Sequence, residues 1–197
     1  MQHSMDNTSL SLLGRARSQD DEAWNQLVTL YGPLVQKWCR QAGLGDEDIA
    51  DVFQETFQTV ARKLETFKPA KSVASFRSWL KTIVRTKTID HLRKIGRQQA
   101  AAGGTAAHMI IAEVADPFDD ESVEAAEADD AIVVQQALNM IKGEFTERNW
   151  QAFIEVAMNG KSASDVAETL GVGAQVIRQA NYRIRRRLRT ILEDLVD

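Results

Sequence analysis

Residues 163–180 read ASDVAETLGVGAQVIRQA, and the spacing of three residues within them decides the reading of the C-terminal third. Two short helices that cross steeply need a small residue where the first passes close to the second, and Ala167 stands there. The turn that joins them needs a residue at ease with positive φ, and Gly171 supplies it. The second helix must turn an apolar residue inward, and Ile177 follows at the right distance, with Val166, Leu170 and Val172 completing a small core. The spacing predicts a helix-turn-helix.

Outward from that core, the second helix carries Gln175, Arg178, Gln179, Tyr182, Arg183 and Arg186 on its exposed side. Arg and Gln have the shapes that pair bidentately with guanine and adenine edges in the major groove. A run of arginines alone reads as a solvated helix face; the Ala–Gly–Ile spacing just before it turns the reading toward DNA.

The rest of the chain repeats the helical period, with few Gly and Pro and almost no strand-like alternation. A helix or helix pair is expected over 20–41, with Ala23, Leu27, Leu30, Leu34 and Trp38 on one side and a turn starting at Pro33. After Gly43 and Gly45 an amphipathic helix runs over 46–66, its Asp46, Glu47 and Asp48 suited to the positive N-terminal end. A loop around Pro69 leads to a third helix over 75–95, and further helices follow over 123–141, 146–158, 162–170 and 173–195. The fold class is therefore all-α: two small helical domains joined by a flexible acidic linker, the second containing the helix-turn-helix. The boundaries fall at 1–19 for an N-terminal extension, 20–95 for the first domain, 96–122 for the linker and 123–197 for the second. The small, featureless stretch AAAGGTAA at 100–107 and the acids around Pro117 bury little apolar surface, Met109 to Ile111 excepted.

Charge follows the same division. The chain is net −4, yet Arg77 to Arg97 holds seven basic residues against Asp90, and Arg178 to Arg189 holds six Arg and no acid. Glu113 to Asp130 carries nine acids and no base, so without it the chain would be net positive by five. Two basic faces joined by an acidic tether suit a nucleic-acid partner. A single cysteine, Cys39, rules out an internal disulfide and points to a reducing cytosol. His3, His91 and His108 fit no metal-ligand spacing. No apolar run is long enough to span a membrane, and Met1 to Arg17 does not read as a secretory signal.

On the helix from Asp46, Ile49, Val52, Phe53, Phe57, Val60 and Leu64 face inward, while Asp48, Asp51, Gln54 and Glu55 share another face. In SFRSWLKTIVRTKTIDHLRK (75–94), Phe76, Trp79, Leu80, Ile83 and Val84 form an apolar stripe beside Arg77, Lys81, Arg85, Lys87, Arg93 and Lys94. Rings beside a basic helix suit single-stranded nucleic acid. Phe76 and Trp79 lie in the core stripe, which leaves Phe67, at the edge of the loop, as the stacking candidate.

DIADVFQETFQTVARKLETF (48–67) followed by SFRSWLKTIVRTKTIDHLRK resembles region two of bacterial sigma factors, and LGVGAQVIRQANYRIRRRLR (170–189) resembles the end of region four. The two motifs, in this order and with no domain between them, are similar to the extracytoplasmic-function (ECF) group. The resemblance implies a non-enzymatic chain with no cofactor and no metal, working in the cytoplasm. It implies that Asp48, Asp51, Gln54 and Glu55 meet the beta-prime clamp helices of core RNA polymerase, with the beta subunit a further contact. It implies that Phe67 and the loop after it capture a flipped minus-10 base, and that Arg77, Lys81, Arg85, Thr86, Asp90, Arg93 and Lys94 line the melted strand. Gln175, Arg178, Gln179, Tyr182, Arg183 and Arg186 then read the minus-35 element, and an anti-sigma factor is an implied partner. The family often has Asn where this chain has Thr86.

Two other classes compete. A helix-turn-helix regulator with a sensing domain would bind duplex DNA without polymerase, but it needs neither the basic third helix nor the acidic face before it. A metal-dependent hydrolase built on Asp48, Asp51 and Glu55 lacks histidine support and inward-facing acids. The charge pattern also predicts that the acidic stretch screens the basic faces from DNA. Neutralising Asp116 to Asp130 then raises non-specific DNA affinity in a binding assay, and an unchanged affinity disposes of the idea.

Overall fold

The computed structural model describes residues 12–68, 74–101, 118 and 122–192, all helices and connecting turns. Residues 1–11 of the extension, the loop residues 69–73 and most of the expected linker (102–117, 119–121), with its Met109 to Ile111 patch, lie outside the described residues. The chain divides into two compact units, residues 1–133 and 134–196, and the division falls inside a helix.

In unit one, α1 (Leu12–Arg17) leads into α2 (Asp21–Gln41), α3 (Asp46–Lys63) and α4 (Ala74–Ala101), with a 3₁₀ turn at Leu64–Thr66 after α3. The helix α2 starts at Asp20, whose carboxylate accepts from the Ala23 N–H at 3.0 Å and from Arg15 Nε at 2.8 Å. The Arg15 hydrogen bond is the main reason the Asp20 carboxyl titrates below its usual range. The turn expected at Pro33 is not there: α2 runs unbroken through it. Proline removes a backbone donor, but its neighbours Tyr31, Leu34 and Val35 are all buried, and their packing holds the helix. Likewise α4 continues past Ile95 to Ala101.

The core of unit one gathers Leu27, Leu30 and Leu34 of α2, Ile49, Val52 and Val60 of α3, and Phe76, Leu80 and Val84 of α4. Aromatic edges join it: Tyr31 meets Phe76 with centroids 4.9 Å apart, and Trp24 meets Phe57 at 6.1 Å. Leu12, Leu13 and Ala16 of α1 are buried too, and α1 packs on α2.

The helix α5 (Val123–Ile141) carries the chain into unit two, followed by α6 (Glu147–Ala157), α7 (Ala163–Leu170) and α8 (Ala174–Leu192). Thr146 caps α6, and the Ser162 hydroxyl caps α7 by accepting from the Asp165 N–H at 3.1 Å. At the other end of α7, Gly171 adopts φ 62° and donates to Glu168 O at 3.2 Å, while the Val172 N–H donates to Ala167 O at 3.0 Å. Ala152, Val166, Ala167 and Ile177 form the centre of the small core, with Val156, Leu170 and Val172 packed around it. The Arg148 guanidinium donates to the Leu170 carbonyl and ties α6 to the turn.

The left-handed turn explains the glycine. Nothing lies within 4 Å of a Cβ added at Gly171, so Gly171→Ala costs backbone strain and not a clash. Urea denaturation followed by circular dichroism is expected to show a loss of about 1–2 kcal/mol for that variant, and no loss would mean the turn relaxes.

Candidate nucleic-acid interface

In α8, Ile177, Ala180, Ile184 and Ile191 take the buried side, which forces the intervening polar residues outward. Gln175, Arg178, Gln179, Tyr182, Arg183 and Arg186 are all exposed, Tyr182 at 65%. The first five line one shallow open depression. The Arg178 Nε donates to Gln175 Oε1 at 3.2 Å, which lays the guanidinium along the helix surface. The neighbouring Arg187 instead forms a fork on Glu144, at 2.7 and 2.8 Å, and so belongs to the scaffold of unit two.

Unit one brings α3 and α4 side by side with opposite charges along their seam. Asp51 and Gln54 are exposed on α3, while Asp48 and Glu55 reach α4. The His91 Nε2 lies 2.7 Å from Asp48 Oδ1, and Lys87 Nζ lies 3.3 Å from Glu55. These cross-helix partners were not foreseen from the sequence, because two periods on separate helices do not reveal their register. Among the described residues no group of three His, Cys, Asp or Glu could hold a metal ion.

The basic side of α4 carries Arg77, Lys81, Arg85, Thr86, Asp90, Arg93 and Lys94, from half-buried Arg77 to exposed Arg85, Thr86 and Lys94. The Thr86 hydroxyl donates to Thr82 O at 2.8 Å, and Arg93 stands 3.9 Å from Asp90. Phe67 is only 8% exposed, whereas Trp79 keeps partial exposure. This reverses the availability expected for the two rings. Phe67 packs on Trp79 at 4.7 Å and on Phe76 at 5.6 Å between centroids. Arg17 closes over it, its guanidinium 5.9 Å from the ring centre and donating to Phe67 O at 2.8 Å and Leu64 O at 3.1 Å. Sequence reasoning missed Arg17, since its partners are backbone carbonyls that carry no side-chain signal.

Known proteins resemble this chain in sequence. Residues 27–98, which hold α3, most of α4 and their seam, match the family model of Sigma-70 region 2. The ECF RNA polymerase sigma factor SigM of Mycobacterium tuberculosis is 29% identical over 181 residues, covering 92% of this chain and 83% of SigM. The chain is similar to ECF RNA polymerase sigma factors. SigE of Mycolicibacterium smegmatis is 26% identical over 170 residues, and this chain spans 62% of SigE's length. The RNA polymerase sigma factor CnrH of Cupriavidus metallidurans is 24% identical, and the solved structure of CnrH in complex with the cytosolic domain of CnrY aligns over 92% of the chain with a TM-score of 0.36 at 21% identity. Among the described residues, no helix is long and apolar enough to cross a membrane.

The lone Cys39 lies buried in α2, and burial pushes its thiol up to about 11. Because the folded value lies above the ordinary 9.0, the neutral thiol's contribution to stability is fully present below pH 9 and is lost as pH rises through about 11. The difference in urea midpoint between wild type and Cys39→Ala is therefore expected to shrink from pH 8 toward pH 10.5. A constant difference would place the thiol in water.

Proposed function

We propose that the chain binds core RNA polymerase and directs it to promoters, recognising a minus-10 and a minus-35 element and helping to melt the DNA. The observation that carries this reading is the α8 face, where Gln175, Arg178, Gln179, Tyr182 and Arg183 share one open depression on a helix held by the Ala167–Gly171–Ile177 core. In this role α7 and α8 act as a helix-turn-helix with α8 in the major groove. Arg178 and Gln179 present bidentate donors and acceptors to base edges, and the surrounding arginines hold phosphates.

In unit one, Asp48, Asp51, Gln54 and Glu55 offer an acidic face to the beta-prime clamp helices, with the beta subunit also contacted. The side of α4 from Arg77 to Lys94, with Thr86 and Asp90, lies along the melted strand. The loop after Phe67 receives the flipped minus-10 base, with the partly exposed Trp79 as its aromatic wall and the buried Phe67 packed behind that ring. Extrusion of a base costs a few kcal/mol, and stacking returns about 1–3 kcal/mol. No side chain here has to make or break a covalent bond, so we assign no catalytic residue and no cofactor. The chain passes from one unit to the other within α5, and the cytoplasm, where polymerase works, is the proposed location. An anti-sigma factor is a further proposed partner, on the likeness to ECF sigma factors.

Run-off transcription with purified core polymerase on a fragmented genomic library tests the reading. Promoter-specific transcripts are expected only when the protein is added. On a promoter so found, Arg178→Ala is expected to cost about 1–3 kcal/mol of recognition at one minus-35 position, whereas Asp51→Lys lowers affinity for core without changing promoter choice. Absence of both transcripts and core binding would instead favour a regulator that binds duplex DNA alone.

A further inference from the structure

One side of the start of α5 is covered by protein. It lies in unit one, on the flank formed by α2 and α4. Asp129 is 6% exposed, and its carboxylate accepts from Lys37 Nζ at 2.7 Å and from the indole Trp38 Nε1 at 3.0 Å. The next residue, Asp130, pairs with the Arg77 guanidinium, which also donates to Ala126 O at 2.9 Å. Upstream, Phe118 is buried, and with Ala126 and Asp129 it forms one wall of a cavity of about 360 Å³. Arg77, Lys81 and Arg85 form the facing wall.

These are three of the residues assigned above to the melted strand. We propose that Phe118 and residues 122–130 act as an internal occupant of the promoter-strand surface, with Asp129 and Asp130 standing in for strand phosphates on Lys37 and Arg77. The inference rests on the assignment of the α4 face to DNA and deepens it: the strand and the acidic segment exclude each other. A buried carboxylate held by an ammonium and an indole N–H is a specific seat, unlike a diffuse acidic tether. The segment covers Arg77 directly and narrows access to Lys81 and Arg85. Strand binding therefore requires it to leave. Glu124 and Glu127, on the same helix, are exposed. They add negative charge without contributing any of these bonds to Lys37, Trp38 or Arg77.

The test uses the full chain and a short fluorescein-labelled single-stranded DNA of mixed sequence, read by anisotropy across salt concentrations. Asp129→Asn with Asp130→Asn is expected to bind several-fold tighter than wild type. Its logarithmic salt dependence should be steeper by about 0.7 for each additional phosphate neutralised. The control pair, Glu124→Gln with Glu127→Gln, changes net charge equally and should tighten binding far less. Adding Arg77→Ala to the open variant should remove most of the increase. Equal increases in the two charge-matched pairs, or none in the first, overturn the proposal. If the open variant binds no tighter while Arg77→Ala and Lys81→Ala still weaken binding, masking alone fails. If no basic substitution on α4 matters, the DNA assignment fails and takes masking with it.

A readout on the wild-type protein avoids dependence on the variant's folding. The ¹⁵N–¹H resonance of the Trp38 indole, which donates to Asp129, is expected to move when the strand saturates the protein. An unmoved resonance at saturation would show that strand and segment bind together, and would overturn the proposal.

Discussion

The ring of Tyr31 on α2 meets the ring of Phe76 on α4 edge to face at 4.9 Å, and much of unit one is arranged around that contact. Phe76 is almost wholly buried, and it also touches Phe67 and Trp79. A helix that turns Phe76, Leu80, Ile83 and Val84 inward has no choice about Lys81 and Arg85, which must face away, because a guanidinium cannot enter an apolar core unpaired. The basic surface of α4 is thus a consequence of the aromatic packing behind it. The same packing sets the start of the loop after α3, since Phe67 is drawn into the cluster and Arg17 holds its carbonyl.

Electrostatics then operates at two strengths. Along the α3–α4 seam the Lys87–Glu55 ion pair and the His91–Asp48 hydrogen bond are partly exposed, and an exposed ion pair contributes about 0–1 kcal/mol. They tune the acidic face more than they hold the helices together, which leaves that face able to exchange partners. Asp129 is different. Its carboxylate has left water and is answered by Lys37 and by the Trp38 indole, and a buried pair tolerates the loss of one partner poorly. A segment that reads as a solvated acidic tether by composition thus contains one residue whose charge is specifically seated.

Local rules make a large part of this protein legible in its sequence. The small core of unit two follows from Ala167, Gly171 and Ile177, because a helix end, a left-handed turn and an inward apolar residue are decided within a few positions of chain. The α8 face follows from the same period, and all six of its proposed DNA-reading side chains stand exposed. The helix 123–141 is bounded by its own apolar spacing. At Pro33 the local rule fails: the burial of its neighbours outweighs the missing backbone donor.

What the sequence by itself determined is therefore helical content, the left-handed turn at Gly171, and which side of each helix is apolar, since these depend on residues a few positions apart. Only the tertiary structure decided that Phe67 is covered and Trp79 partly open, that Arg17 clasps two backbone carbonyls, and that Asp129 finds Lys37 and Trp38. Each of those contacts joins residues far apart in the chain, and no periodicity records which distant partner a side chain will meet. The register between helices is set by how their side chains interlock, and that is a property of the packed unit.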